Sequence, residues 1–383
     1  NITTGSDNTA LGYNTLDEVT TASNNTAVGS NALTANTSGG SNVAVGHQAL
    51  DANTTGEENT AIGTDSLGGN TTGNRNTALG NDCLVSNTTA SDNVGVGHDV
   101  LKTNTTGANN TGVGRGSLGA NTTASNNTAV GRSAMAANTT GTANVAVGSE
   151  ALDASNADYC TAIGRSALGA NTTGTQNTAV GSNSLDANTT GGYNTAMGVN
   201  ALGANTTASY NTAVGTLALD ANTTASGNTA FGYQTLSEVL TNTGLTAVGY
   251  RALANSNGGN NNTAVGYNAG VVISTGGQNV MMGVNTLLQC TTGSNNTAIG
   301  HQALEDLTTN GANTAVGYQA LMDTTGSNNT GVGYQALKSN TTGYYNVALG
   351  LQSLAANTTG VQNVAIGYQA LDANTTAHNN VAI

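Results

Sequence analysis

The sequence of 383 residues contains no proline, no tryptophan and a single phenylalanine, and only 7% of its residues are charged. A globular core of this size needs large side chains to fill it, so these shortages argue against ordinary globular domains. Gly, Ala, Asn and Thr dominate instead, in a strict period. A disordered, low-complexity chain would share this composition, but disorder does not require an apolar residue at one fixed place in every unit.

Basic residues are also few, with 7 Lys and Arg against 20 Asp and Glu and a formal net charge of −13. Binding to phosphates needs clustered Lys and Arg, so we expect no nucleic-acid binding. No run of about 20 apolar residues exists, so we expect no membrane insertion. There is no start Met and no signal peptide, and the chain begins and ends inside a repeat, which indicates a fragment of a longer fibre.

One stretch organises the chain, the Asn-Thr-Ala-Val-Gly at 25–29, which recurs to the last residues. Its closing glycine returns every 17 residues, except for the 16-residue steps from Gly148 to Gly164 and from Gly317 to Gly333. We number each repeat from its Asn. Position 2 is Thr or Val, position 3 is mostly Ala, and position 4 is always apolar. Position 5 is always Gly, position 9 is usually Leu, and an Asn-Thr-Thr-Gly turn follows.

This repeat is too short for a helix pair, and its β-branched residues favour strands. Each unit is predicted to form two short strands, Thr-Ala-Val before the glycine and x-Ala-Leu before the Asn-Thr-Thr turn. The glycine at position 5 supplies a positive φ or a close backbone approach. Stacked like on like, the units predict an all-β β-solenoid (β-roll or β-helix) of about 22 repeats of 17 residues. We expect a single array over residues 1–383, least regular at 237–293.

Stacking gives each column of the repeat an expected role. The Val/Ile column of position 4 and the Leu column should form a thin core, and the Asn and Thr columns should form hydrogen-bonded ladders. Position 3 points to the face opposite position 4, yet it is restricted to small residues. One interpretation is that a neighbouring chain packs there, which favours a homotrimer about a long axis. The alternative is a coil too narrow for any residue larger than Ala.

The unit Asn-Thr-Ala-Val-Gly-Tyr-Gln-Ala-Leu at 313–321, nearly repeated at 363–371, resembles repeats of bacteriophage tail-fibre-like proteins. The Asn-Val-Ala-Ile-Gly at 363–367 is similar to the head repeats of trimeric autotransporter adhesins. The resemblance covers essentially the whole chain. It implies a homotrimeric β-solenoid fibre that is extracellular, on a cell surface or on a virion, and that serves in attachment. The adhesin head unit is shorter and lacks the Asn-Thr-Thr-Gly turn, so coil shape and handedness are not carried over.

Two sets of residues are candidates for ligand contact or modification. Tyrosines at position 6 offer a flat apolar face and a polar tip that suit glycan binding, with shielding of the coil edge as the alternative. These are Tyr233, Tyr250, Tyr267, Tyr318, Tyr334 and Tyr368. The Asn-Thr-Thr turns match the N-glycosylation pattern, with a purely structural ladder as the alternative. The sites are Asn53, Asn70, Asn87, Asn104, Asn121, Asn138, Asn171, Asn188, Asn205, Asn222, Asn340, Asn357 and Asn374.

No arrangement of Ser, His and acidic residues has the order of a catalytic triad, so we expect no enzyme activity. The four histidines are interpreted as solvent-facing and without an acidic partner at metal-ligand spacing: His47, His98, His301 and His378. Stacked carboxylates at position 10 could hold Ca²⁺, the only cofactor considered, but only Asp186 and Asp220 come near each other. Asp51, Asp153 and Asp372 also stand at this position. The three cysteines are interpreted as buried thiols, with an interchain disulfide as the alternative: Cys83, Cys160 and Cys290.

The leading functional hypothesis is a fibre or adhesin, shaft or head, that presents a repetitive polar surface to cell surfaces or glycans and gains affinity by multivalency. A self-polymerising extracellular filament subunit is the first alternative, because uncapped solenoid ends expose strand edges. An ice-binding solenoid is the second, since paired threonines such as Thr54-Thr55 and Thr71-Thr72 would form a regular array.

Overall fold

The computed structural model describes residues 4–383, which contain 23 short β-strands and no helix. The chain divides into two compact units, Asn1–Tyr193 and Asn194–Ile383. The strands of unit 1 are β1 Thr9–Leu11, β2 Thr26–Val28, β3 Val43–Val45, β4 Thr60–Ile62, β5 Thr77–Leu79, β6 Val94–Val96, β7 Thr111–Val113, β8 Thr128–Val130, β9 Val145–Val147, β10 Thr161–Ile163 and β11 Thr178–Val180. Those of unit 2 are β12 Thr195–Met197, β13 Thr212–Val214, β14 Thr229–Phe231, β15 Thr246–Val248, β16 Thr263–Val265, β17 Val280–Met282, β18 Thr297–Ile299, β19 Thr314–Val316, β20 Thr330–Val332, β21 Val347–Leu349, β22 Val364–Ile366 and β23 Val381–Ala382.

Within each unit, successive strands pair in parallel, and each residue lies opposite its counterpart in the next repeat. Thr26 pairs with Val43 in unit 1, for example, and Thr212 with Thr229 in unit 2. The 16-residue repeats keep this register, since Val145 still pairs with Thr161. The predicted parallel β-solenoid of about 22 turns is therefore confirmed.

Each repeat has one strand, so the prediction of a second strand is wrong. The x-Ala-Leu segment consists of turns, and its leucines have left-handed backbones, with φ of 52° at Leu33 and 54° at Leu50. The amide of Leu33 nevertheless donates to the carbonyl of Ala49 in the next repeat at 3.0 Å. Because stacking supplies these hydrogen bonds without extended backbone, the turn is free to direct each Leu into the interior. Burial of the Leu side chain, worth about 1.5–3 kcal/mol, offsets a left-handed residue that costs about 1–2 kcal/mol.

The core lies on the alanine side of the strand, so the assignment of position 4 to the core is also wrong. Ala27 is fully buried, whereas Thr26 and Val28 are partly exposed. The rest of the interior is occupied by the Leu of position 9, the small residue of position 8 and two columns of Asn. With Leu filling this space, only a methyl group fits beneath the strand. The narrow-coil interpretation of position 3 is therefore confirmed, and the packing of a partner chain on that alanine is wrong.

Departures from the repeat are matched in volume across the core. Gly95 stands at position 3, and a Cβ added to it would lie 2.4 Å from the Sγ of Cys83, which replaces a smaller residue. In the least regular stretch, Gly270 replaces a core leucine. The Sδ of Met281, at position 3, lies 2.5 Å from where a Gly270 Cβ would be. A large residue in one column is thus paired with a small one in another, as close packing requires.

Two columns of buried asparagine form the predicted ladders. The backbone amide of Asn42 donates to Oδ1 of Asn25 at 2.9 Å, and the side-chain Nδ2 of Asn42 donates to the carbonyl of Gly56 at 2.9 Å. In the second column, Nδ2 of Asn53 donates to Oδ1 of Asn36 and to the Gly56 carbonyl, both at 3.0 Å. These bonds satisfy polar groups that would otherwise be buried at a cost. The ladders are confirmed.

The glycine of position 5 forms a corner that no other residue fits. Gly46 has φ of 142°, and a Cβ added to it would lie 2.4 Å from the carbonyl oxygen of Gly63. Both the backbone angle and the close approach of the next repeat require glycine here. The role predicted for this column is confirmed.

Candidate functional surfaces

The strand face, by which we mean the outward side chains at positions 2 and 4, is a regular two-column array in each unit. Position 2 is Thr or Val, and position 4 is Val, Ile, Leu, Met or Phe throughout. Ile62, Leu79 and Phe231 are 38%, 45% and 54% exposed. Neighbouring strands are about 4.8 Å apart, and the two columns about 6.6 Å apart. The face therefore presents methyl and hydroxyl groups at two fixed spacings.

Charge is absent from the strand face. The 7 basic and 20 acidic residues all lie at positions 6, 7, 10, 11, 16 or 17 of the repeat. Single exposed apolar side chains are ordinary, but a continuous apolar column beside an uncharged column of Thr and Val is typical of a surface that contacts something. The side chain at position 4 varies in size from Val to Phe, a range that a narrow core would not accept. This variation in the sequence indicates a column that faces outward.

Three of the six candidate tyrosines form one stack. The ring centroids of Tyr233 and Tyr250 are 5.4 Å apart, and those of Tyr250 and Tyr267 are 5.2 Å apart, with nearly parallel planes. Each ring therefore covers part of its neighbour's face. A glycan here would meet ring edges, phenolic oxygens and the two end faces. Tyr368, 73% exposed, is not part of this stack. Glycan binding by these tyrosines stays a prediction.

A second stack runs beside a ladder of glutamines. His301 stacks on Tyr318 at 5.4 Å, and Tyr318 stacks on Tyr334 at 5.1 Å. At position 7, the side-chain amides from Gln302 to Gln369 donate to one another at 2.9–3.1 Å. These contacts join successive repeats, and shielding of the coil edge stays the alternative to glycan binding for the tyrosines.

The asparagines of the Asn-Thr-Thr turns are directed into the coil. Of the 13 candidate glycosylation sites, all but Asn374 are fully buried. Nδ2 of Asn70 donates to Oδ1 of Asn53 at 2.9 Å and to the Gly73 carbonyl at 3.0 Å. N-glycosylation joins the sugar to this nitrogen. Modification would therefore require a turn that has not yet folded, and it stays a prediction for such a chain.

Asp82, His98 and Asp99 are the one group of three metal-ligand side chains within residues 4–383. Nδ1 of His98 lies 2.7 Å from Oδ2 of Asp99, so His98 is solvent-facing as expected but has an acidic partner, contrary to expectation. Nζ of Lys102 lies 3.3 Å from Oδ2 of Asp82 and 2.8 Å from Oδ1 of Asp99. This hydrogen bond from Lys102 lowers the pKa of Asp99. The ammonium thus already occupies the place where a cation would bind.

Sequence reasoning missed this cluster because it compared aspartates at position 10. Asp65, Asp82 and Asp99 instead share position 7 in three consecutive repeats. At position 10, burial raises the pKa of Asp186 and of Asp220. Neither belongs to a group of three metal-ligand side chains in the described part of the chain. Calcium binding between them stays a prediction.

The three cysteines are free and buried, which confirms the interpretation as buried thiols. Burial raises the pKa of Cys83 to about 12 and that of Cys290 to about 11, and it also raises the pKa of Cys160. A thiol enclosed in this way does not reach a cysteine of another chain while the coil is folded. The geometry therefore favours packing over the interchain disulfide.

The described residues contain no helix able to cross a membrane. No protein-family model matches the chain, and no curated protein matches it.

Proposed function

We propose that this chain is a structural, self-associating solenoid, the shaft or head of an extracellular attachment fibre on a cell or a virion. Copies associate through the strand face, most simply as a homotrimer about the long axis. The uncharged strand face is the observation that carries the proposal. The charged and polar residues at the other outward positions then form the repetitive surface that is presented to cell surfaces or glycans.

The size of the strand face supports a second copy of this chain as its partner. Eleven strands at about 4.8 Å spacing and about 10 Å length give on the order of 500 Å² of flat sheet in unit 1, before side-chain relief. A stable interface buries about 800 Å² per partner, and the flat sheet of one unit gives more than half of that area before side-chain relief is added. The strand faces of the other copies carry no charge either, so no like-charge repulsion opposes their approach about a common axis.

Sedimentation velocity of charged variants tests this proposal. Val28→Lys combined with Val45→Lys places two charges on the strand face. Ser30→Lys combined with His47→Lys places the same charges at position 6, where Arg occurs naturally, and serves as the control. We expect an oligomer for the unaltered chain and the control, and monomers for the strand-face variant, all with the same circular dichroism spectrum. A monomeric unaltered chain, or a strand-face variant that stays oligomeric, would contradict the proposal. Electron microscopy separates closed oligomers from the alternative of end-to-end filaments.

Ice binding is the second candidate, and the strand face favours it more than the turns do. The Thr54 hydroxyl donates to the Thr71 carbonyl at 3.0 Å, and the Thr71 hydroxyl donates to the Thr88 carbonyl at 3.0 Å, so the hydrogens of these turn threonines are engaged. The strand face instead offers Thr and aliphatic groups in register on adjacent parallel strands. Thermal hysteresis that is lost in the strand-face variant and kept in the control would favour this function over self-association.

A further inference from the structure

The second 16-residue repeat lacks one outward residue. In the repeat that begins at Asn313, Thr325 at position 13 is followed directly by Gly326 at position 15. In the next repeat, position 14 is the exposed Thr342. Because the strands keep their register across the deletion, the missing side chain leaves a gap between adjacent repeats.

A cleft of about 330 Å³ lies at this gap. Its walls include Thr325, Ser327, Thr342, Tyr344 and Tyr345, and no charged residue lines it. This volume is at the lower end of the range of about 300–1,000 Å³ that is typical of small-molecule sites. A neutral ligand of modest size therefore matches the cleft better than a phosphate or an acidic sugar.

The cleft offers polar groups that no part of the described chain engages. The hydroxyls of Ser327 and Thr342 and the side-chain amide of Asn328 have no hydrogen-bond partner within residues 4–383. The Thr325 hydroxyl, in contrast, donates to the Thr341 carbonyl at 2.8 Å. Donors and acceptors on two adjacent repeats thus remain for a bound molecule.

Two tyrosines flank these groups in an arrangement unlike the stacks. Tyr344 and Tyr345 are 46% and 56% exposed, and their ring centroids are 5.3 Å apart at an interplanar angle of 73°. In this edge-to-face geometry, at least one ring face is not covered by a parallel neighbour. Tyrosine rings accept the apolar face of a ligand, while amides and hydroxyls bind its polar edge.

We propose that this cleft binds a neutral saccharide, with Tyr344 and Tyr345 as the platform and Ser327, Asn328 and Thr342 as hydrogen-bonding partners. The choice of a saccharide as the ligand rests on the attachment role proposed above. It moves the principal glycan contact from the stacked tyrosines of position 6 to the shortened repeat. A chain that binds saccharide without self-associating, or the reverse, would separate the two proposals.

Titration calorimetry with maltotriose, cellotriose and triacetylchitotriose tests the cleft, with sialyllactose as the charged comparison. One variant combines Tyr344→Ala with Tyr345→Ala. A second inserts a Thr between Thr325 and Gly326, which restores the ordinary 17-residue repeat and fills the gap without removing any contact residue. Tyr210→Ala is the matched control, because Tyr210 shares position 17 with Tyr345 but has full-length repeats on both sides, so no gap lies beside it.

We expect at least one neutral trisaccharide to bind, and both cleft variants to weaken it by about 10-fold or more, which corresponds to about 1.4 kcal/mol. The control should keep the affinity of the unaltered chain. Failure of all three neutral sugars to bind, equal affinity in the insertion variant, or tighter binding of sialyllactose would each overturn the proposal. Sedimentation of the same samples reports self-association separately.

Discussion

Replacing one asparagine of the position 1 ladder should destabilise the coil far more than replacing its neighbour in sequence. Asn110 is fully buried, its Nδ2 donates to the Ala124 carbonyl at 2.8 Å, and its Oδ1 accepts from the Asn127 amide at 3.0 Å. Asn109 is exposed and stands at position 17, where alanine occurs naturally at 143 and 312. Asn110→Ala and Asn109→Ala are therefore the same chemical change, made once at a buried side chain and once at an exposed one.

The expected magnitude follows from which partners stay satisfied. The Ala124 carbonyl keeps a donor, because Nδ2 of Asn121 also reaches it at 3.0 Å. The Asn127 amide loses its acceptor and stays buried. One lost hydrogen bond and one buried unsatisfied amide amount to about 2–4 kcal/mol. Asn109 has a left-handed backbone with φ of 58°, which alanine tolerates less well than asparagine, so the exposed control should lower the free energy of unfolding by about 1 kcal/mol.

Urea denaturation followed by circular dichroism measures the difference, and native-state hydrogen exchange at the Asn127 amide locates it. Repeat arrays often unfold in parts, so the exchange measurement gives the local free energy where the denaturation curve is not two-state. Equal stability of the Asn110→Ala and Asn109→Ala proteins would refute the argument that the ladder holds the repeats together.

Three further outcomes are expected. Burial raises the pKa of Asp220, so protonation favours the folded state. The contribution of Asp220 to stability should therefore be greatest below the ordinary value of 3.8 and fall as pH rises through the folded pKa, and Asp220→Asn should raise the melting temperature at pH 7 but not at pH 3. The Cys83 thiol should resist iodoacetamide at pH 8 until the chain is unfolded, as mass spectrometry would detect. Gly46→Ala should lower the melting temperature strongly, whereas Gly40→Ala, whose added Cβ would meet the Ser23 carbonyl oxygen at 3.3 Å at a position where alanine occurs at 108, should lower it much less.

The period of the sequence was sufficient to predict register, stacking, the glycine corner and the asparagine ladders. Each of these follows from identical residues meeting at a fixed separation. The face of the strand that points into the core was not predictable in the same way, because positions 3 and 4 are both apolar. Hydrophobicity alone favours Val28 over Ala27 as the core residue. Volume decides otherwise, since the leucine column leaves room for a methyl group only.

The surfaces were harder to predict than the coil. The second strand was predicted because the x-Ala-Leu pattern is compatible with an extended segment. Hydrogen bonds between repeats form here without an extended backbone, so no strand is needed. The grouping of Asp82, His98 and Asp99 depends on which columns adjoin on the outside of a turn. The cleft beside Tyr344 depends on position 14 pointing outward. The 16-residue step was visible in the sequence, but the direction of the missing side chain was not.

The strand pairings within each unit join residues that are 17 or 16 positions apart. Loop closure over so short a distance costs little entropy and is the same for every repeat, so folding has no single long-range step on which it must wait. Gene duplication or loss of one whole repeat would change the number of turns without creating a new kind of contact. The length of each unit therefore changes by whole repeats of about 4.8 Å. Selection can adjust it while the chemistry of every turn stays the same.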